Sequence, residues 1–359
     1  MKKFDFSKLA KPNVRSLKPY QAKEISCRVK LDANESPYPP KTGPNKFVFK
    51  MLNRYPDPEA SELKKAAAGS FGVPPENILI GNGSDELIYY LTMAFGGTVL
   101  SPVPTFSMYE IISMALGEKY IGVQLDGSFD LETGKTLAAI KKYQPRLIFL
   151  SSPNNPTGNC FSSDRILKIV EASRGLVIVD EAYQPFSSKK GFIPLLKDYR
   201  NLAILRTLSK TGFAALRVGF LIADRDLISE VNKVRLPFNT NSLSQAIALK
   251  AFQDKKTTEA NIRAINSERG KLMNKLLAIE GVDPFPSEAN FILFRVSDAD
   301  IVFHRLLKSG VLVRNLDSVV KNALRVTVGT PSENNYFIKS LKSAVAENEQ
   351  CRFSTDTKH

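Results

Sequence analysis

Short apolar runs alternate with helical patterns through the middle of the chain. Asn77 to Ile80, Thr98 to Leu100, Leu147 to Leu150, Leu176 to Val179, Leu202 to Leu205 and Val218 to Ile222 are continuous in apolar residues or nearly so, as strands buried on both faces are. Between them, residues 85–95, 105–116, 136–143 and 163–173 read as helices. Strands separated by helices predict an α/β fold with a mostly parallel sheet covered on both sides, and such sheets present ligands at the carboxyl ends of their strands. After about residue 230 the pattern changes to a helical stretch over 242–279. Strands at Phe291 to Arg295, Val311 to Val313 and Leu324 to Val328 follow, with helices near 299–308 and 332–346. That part predicts a smaller α+β domain. Prolines at 37, 39, 40, 44, 56 and 58 give the start of the chain the character of an extended arm. The expected division is an arm over 1–60, a large domain over 61–235, and an interdomain helix with a small domain over 236–359.

With 359 residues, 43% hydrophobic and 24% charged, the chain is long enough for two packed units and has an ordinary globular composition, which argues against disorder. Its longest nearly apolar stretch, Leu87 to Leu100, is interrupted by Thr92, Gly96, Gly97 and Thr98 and falls short of the ~20 residues needed to span a bilayer. No membrane segment is expected. The start, Met1 to Pro12, is polar without an apolar core, so no secretory signal is expected either. Cys27, Cys160 and Cys351 are odd in number and far apart, and His304 and His359 are the only histidines. Neither a disulfide framework nor a Cys/His metal site can be assembled from them, and a reducing cytoplasm is the expected compartment. The net charge of +14 points to anionic partners. Because the basic residues come as separated pairs (Lys64-Lys65, Lys141-Lys142, Lys189-Lys190, Lys255-Lys256), small phosphorylated or carboxylated ligands fit better than nucleic acid.

Candidate chemistry gathers after the central strands. Asp180 ends the run Leu176 to Val179 and opens Asp180-Glu181-Ala182-Tyr183. Alone, a carboxylate there ordinarily caps the next turn. Ser152-Pro153-Asn154-Asn155-Pro156-Thr157-Gly158 follows another strand, and Arg206-Thr207-Leu208-Ser209-Lys210 follows a third, with Arg217 shortly after. An amide, a carboxylate with a nearby tyrosine, and a Ser-Lys followed by an arginine answer one requirement together. Pyridoxal phosphate needs a lysine for covalent attachment, an acid for its ring nitrogen, donors for its phenolic oxygen and a phosphate cradle.

Those motifs, with Leu-Arg-Val-Thr-Val-Gly-Thr at 324–330, resemble the fold-type I pyridoxal-phosphate aminotransferases. Leu-Asp-Ala-Asn-Glu-Ser-Pro at 31–37, Arg-Tyr-Pro-Asp-Pro at 54–58, Gly-Asn-Gly-Ser-Asp-Glu at 81–86 and Glu-Ala-Asn-Phe at 288–291 are similar to the histidinol-phosphate aminotransferase branch. The match runs from about Tyr20 to Pro331. It implies a fold-type I transferase with pyridoxal 5′-phosphate as cofactor, and a role for each matching residue. Lys210 would bind the cofactor aldehyde and shuttle a proton, Asp180 would pair with the ring nitrogen, and Asn155 and Tyr183 would donate to the phenolic oxygen. Phe106 would stack on the ring, where the family more often has tyrosine. Gly83, Ser84 and Asp85 at a helix start, with Thr207, Ser209 and Arg217, would hold the phosphate; Arg217 follows Lys210 by one residue fewer than in many fold-type I enzymes. Tyr55 would reach the phosphate of a neighbouring subunit, which implies that the arm contributes to the small domain and to an obligate homodimer with shared sites. Arg325 would receive the donor carboxylate, with Tyr20, Asn34 and Arg314 on the substrate side. The implied reaction moves an amino group between glutamate/2-oxoglutarate and imidazole acetol phosphate/histidinol phosphate in histidine biosynthesis. An aromatic-amino-acid aminotransferase or an O-phospho-amino-acid decarboxylase shares the same ring and lysine chemistry. A basic regulatory protein with an idle site is the reading from a different class, and it has no need of Lys210, Asp180, Asn155, Tyr183 and Arg325 together.

Overall fold

A computed structural model describes residues 25–39 and 53–356. Strand β1 (Val29–Lys30) belongs with the C-terminal part of the chain; β2 (Ile78–Asn82), β3 (Thr98–Val103), β4 (Lys119–Gln124), β5 (Leu147–Ser151), β6 (Leu176–Asp180), β7 (Leu202–Thr207) and β8 (Val218–Ala223) form one seven-stranded sheet in the order 2-8-7-6-5-3-4. The pairs β3·β4, β3·β5, β5·β6 and β6·β7 are parallel, while β8 runs antiparallel to both neighbours.

Residues of each central strand alternate between two cores. Ile148, Leu150, Val177, Val179, Leu202, Ile204, Phe220 and Ile222 pack on one face, and Leu147, Phe149, Ile178, Ala203, Leu205 and Leu221 on the other. With both faces covered, each such side chain contributes about 1.5–3 kcal/mol of burial, so polar residues are selected against inside these strands. The expected runs therefore match β5 to β8 closely, extended by a residue or two at their carboxyl ends.

The differences from the expected elements have separate causes. Strand β4 lies at the sheet edge with most of its positions exposed or half-buried, so no apolar run marks it. The helix Ser61–Phe71 buries only Leu63, Ala67 and Ala68, and the helix Arg225–Asn232 was likewise not expected. The stretch expected as one helix over 242–279 is two, Ser242–Gln253 and Lys255–Leu277. They break at Asp254, whose carboxylate accepts from the Thr257 N–H, 3.3 Å, and caps the second helix.

In the C-terminal part, β9 (Asp283–Pro284), β10 (Phe291–Arg295), β12 (Arg314–Asn315) and β13 (Ala323–Thr327) form an antiparallel sheet in the order 12-13-10-9, and β1 pairs in parallel with β11 (Val311–Leu312). Thr327 N–H donates to the Leu31 carbonyl, 2.9 Å, fastening residues 31–34 alongside β13. Ala182, Tyr183 and Phe186 of the β6–β7 connection join the core of this smaller unit. The loop after Asp180 therefore spans both units.

Candidate active site

The sheet topology decides which loops meet. Register pairs Ser151 with Asp180, Asp180 with Leu205, Thr207 with Gly219 and Val218 with Asn82. Because β8 is reversed, its amino end, with Arg217 before it, lies at the same edge as the carboxyl ends of β2, β5, β6 and β7. One rim thus carries Gly83-Ser84-Asp85, Asn155, Asp180 and Lys210, contributed by segments far apart in sequence.

One half of the rim suits an anion. The helix Ser84–Phe95 begins after Gly83, which has φ 84° and supplies no side-chain cap. Its first-turn N–H groups lack intrahelical acceptors and carry the positive end of the helix dipole. The Arg217 guanidinium lies over this turn: a Cβ on Gly83 would stand 2.6 Å from Arg217 Nη2, and one on Gly219 would stand 2.5 Å from Ser84 N. Gly219 is required by its approach to backbone, and Gly83 by its positive φ. Arg217 donates to Ser209 Oγ, 3.3 Å, and pairs with Asp85 Oδ2, 3.0 Å, while the Thr207 hydroxyl lies 2.9 Å from Ser209 Oγ. The shortened spacing after Lys210 is absorbed by tight turns over Ser209–Phe213 and Ala214–Leu216, ending with Arg217 itself at φ 52°.

The other half holds groups suited to a heteroaromatic ring. Asp180 is buried; its Oδ2 accepts from Tyr109 Oη, 2.7 Å, and its Oδ1 from the Ala182 N–H, 3.0 Å. Burial raises its carboxyl to about 6, against the lowering effect of those two donors. Asn155 accepts through Oδ1 from Arg325 Nη1, so its amide NH2 remains the donor end. Tyr183 accepts through its hydroxyl oxygen from Asn34 Nδ2, 3.0 Å, which leaves its own proton for a further acceptor. Lys210 Nζ stands 5.6 Å from the centre of the Tyr183 ring.

Around them, Asn34 is held at φ 54°. Its N–H donates to Thr327 Oγ1, 2.9 Å, and its carbonyl accepts from Asn290 Nδ2, 3.0 Å. Arg325 is buried, donates through Nη2 to the Asp32 carbonyl, 2.8 Å, and lies over the Phe291 ring. Arg314 and Arg325 are direct cross-strand partners in β12 and β13, so their side chains leave the same face of the sheet. Phe106 is half-buried and meets Tyr109 edge-on at 5.6 Å. Tyr55 is 82% exposed and stacks on Phe238 at 4.6 Å, apart from these contacts. Tyr20 lies outside the described residues.

Four participants were not singled out by the sequence reading. Tyr109 sits inside an ordinary apolar helix, and its spacing of one helical turn from Phe106 is the only hint of a shared face. Asn154 ties the Asn155 loop to the segment before Phe106 by donating to the Pro104 carbonyl, 3.0 Å, and accepting from Thr105 Oγ1, 2.9 Å. Thr327 and Asn290 lie within the motifs at 324–330 and 288–291 and touch the site through Asn34, a contact those motifs do not show by themselves.

Pyridoxal phosphate fits this donor set: a carboxylate for a ring nitrogen, an amide and a phenol with donor protons free, an amine, and an uncapped helix start flanked by hydroxyls and a guanidinium. Fold and site define a pyridoxal-phosphate-dependent transferase of fold type I. A family model described as aminotransferase class I and II matches residues 28–341, and the chain belongs to that family. The histidinol-phosphate aminotransferase of Aquifex aeolicus (strain VF5) is 42% identical over 345 residues, 92% of this chain and 97% of that protein. The enzyme of the same name from Thermoanaerobacter pseudethanolicus is 39% identical over 345 residues, 93% of this chain and 98% of that one. Among solved structures, the histidinol-phosphate aminotransferase of Sinorhizobium meliloti in complex with pyridoxal-5′-phosphate superposes with a TM-score of 0.82 at 22% identity, covering 94% of this chain and 97% of that chain.

Proposed function

We propose that the chain is a histidinol-phosphate aminotransferase, working as a cytoplasmic homodimer that exchanges an amino group between glutamate and imidazole acetol phosphate. The observation that carries the substrate choice is the Arg314–Arg325 cross-strand pair. Like charges directly opposite each other on one face are unfavourable, and a doubly charged anion between them removes the penalty. The same pair suits the carboxylate of glutamate in one half-reaction and the phosphate of histidinol phosphate in the other. Near-full-length similarity to relatives of that name supports the choice.

When bound, pyridoxal phosphate supplies an electron sink for the charge left as the substrate Cα loses its proton. Lys210 Nζ holds and returns that proton. Asp180, ionised at neutral pH given its value of about 6, keeps the ring nitrogen charged. Asn155 and Tyr183 donate to the phenolic oxygen, their other polar atoms being occupied by Arg325 and Asn34. Ser84, Thr207, Ser209 and Arg217 bind the phosphate group.

A half-reaction panel tests the assignment. Glutamate and histidinol phosphate should each bleach the visible band of the loaded protein at catalytic rates, with phenylalanine and phosphothreonine far slower. Preference for phenylalanine or phosphothreonine would replace the reading with an aromatic aminotransferase or a phospho-amino-acid decarboxylase.

The homodimer is supported by the apolar surface around Tyr55 (82% exposed), Leu236 (64%) and Phe238 (38%), too exposed for a surface left in water. For Tyr55→Phe we expect cofactor retention to weaken by the ~1.5–3 kcal/mol of a hydrogen bond to a charged group. In a mixed dimer of Tyr55→Phe with Lys210→Ala chains, sharing puts both lesions in one pocket and leaves half the activity at normal cofactor affinity. Full loss of affinity at the lysine-bearing site would place the tyrosine in its own chain's pocket.

A further inference from the structure

Tyr109 is the residue outside the known set with the most unusual position. It is fully buried, lies parallel to Phe149 with ring centres 4.8 Å apart, and meets Phe106 edge-on at 5.6 Å. Such packing removes the ring's freedom and fixes where its hydroxyl points. The hydroxyl points at Asp180 Oδ2, 2.7 Å away, from a helix whose sequence is 71 positions distant. Among the described residues no other side chain hydrogen-bonds the Asp180 carboxylate, and its second oxygen is held by the Ala182 backbone.

We propose that Tyr109 is a positioning residue for the transamination: it clamps the Asp180 carboxylate in one orientation and in its ionised form, and so sets the charge that Asp180 maintains on the cofactor's ring nitrogen. The inference rests on the functional reading above. A phenol buried this deeply cannot ionise in the working range, because burial and the neighbouring carboxylate both raise it well above its ordinary value. Toward the Asp180 carboxylate, which can only accept when ionised, it therefore serves as a proton donor. A donor stabilises the carboxylate over the carboxylic acid, countering the burial that pushes Asp180 upward. The other charges acting on Asp180 are Asp85, which disfavours ionisation, and Lys210, which favours it. Without the phenol the carboxylate would face its apolar surroundings with one donor. The contact with Phe106 gives Tyr109 a second role of the same kind, since the aromatic side chain expected against the cofactor ring rests on it.

Tyr109→Phe keeps the packed ring and removes only the donor. The test uses protein loaded with pyridoxal phosphate labelled with nitrogen-15 in the ring, as wild type, Tyr109→Phe, Asp180→Asn and the double variant, near neutral pH. In Tyr109→Phe the ring-nitrogen resonance should move from its charged position part of the way toward that in Asp180→Asn. The rate of Cα deprotonation with glutamate should fall about tenfold or more, as for one lost hydrogen bond to a charged group. In the Asp180→Asn background the second change should add less than about twofold, because Tyr109 acts through that carboxylate. An unmoved resonance, or a rate loss that simply multiplies with that of Asp180→Asn, overturns the proposal and leaves Tyr109 as packing. Wild-type protein that takes up no pyridoxal phosphate overturns the functional reading itself, and shows no visible band in any variant.

Discussion

Lys210→Ala should abolish multiple-turnover transamination, lowering it by about 10⁴-fold or more, while the protein still folds. The magnitude combines loss of the covalent anchor with loss of a positioned general base, which alone typically contributes 10²–10⁴-fold. Structure should survive because the Lys210 side chain is half-buried and approaches the Tyr183 ring only at 5.6 Å. The surrounding turn is held by groups the substitution leaves intact, among them the Thr211 hydroxyl on the Leu208 carbonyl, 3.1 Å, and the Ser209 N–H on Thr207 Oγ1, 3.1 Å. Steady-state turnover measured beside thermal melting checks both halves. Near-normal turnover in the variant would remove Lys210 from the chemistry, and a collapsed melting temperature would show that the residue is structural.

Asp180→Asn should push activity and stability in opposite directions. The neutral amide cannot keep a ring nitrogen charged, so Cα deprotonation should slow by about 10²-fold or more, read as a single-turnover rate. An unchanged single-turnover rate would end the assignment. The apoprotein should gain stability. Burial raises the Asp180 carboxyl from 3.8 to about 6 in the folded state, so its ionisation opposes folding. Its contribution is at its most favourable below the unfolded value and is lost as pH rises through about 6. Above that, wild type carries a penalty of about 2–3 kcal/mol that the amide avoids. The variant apoprotein should therefore unfold at higher denaturant than wild type at pH 7–8, with the difference vanishing near pH 4. A difference independent of pH would mean that Asp180 is not the titrating group.

Where the chain buries both faces of an element, the sequence displays it. Strands β5 to β8 announce themselves because neither face tolerates polar residues, and the residues ending them, Asp180 above all, stand out against that background. The residues proposed to bind the cofactor also fall in short motifs on the turns after the strands, so Asn155, Tyr183, Ser209 and Lys210 are legible as candidates. Strand β4 is not, because an edge strand meeting water loses the pattern, and the break at Asp254 is hidden within continuous helical periodicity.

Sequence alone therefore determined the α/β class, the candidate residues after the central strands and the cofactor those residues suit, since each follows from local patterns of burial and donor type. Only the tertiary structure decided how they combine. The reversal of β8 brings Arg217 over Gly83, and the β12·β13 register sets Arg314 against Arg325. The packing of one helix on Phe149 aims Tyr109 at Asp180. These pairings join residues separated by long stretches of chain. Register and packing fix them through the summed burial of whole elements, which no single stretch of sequence records.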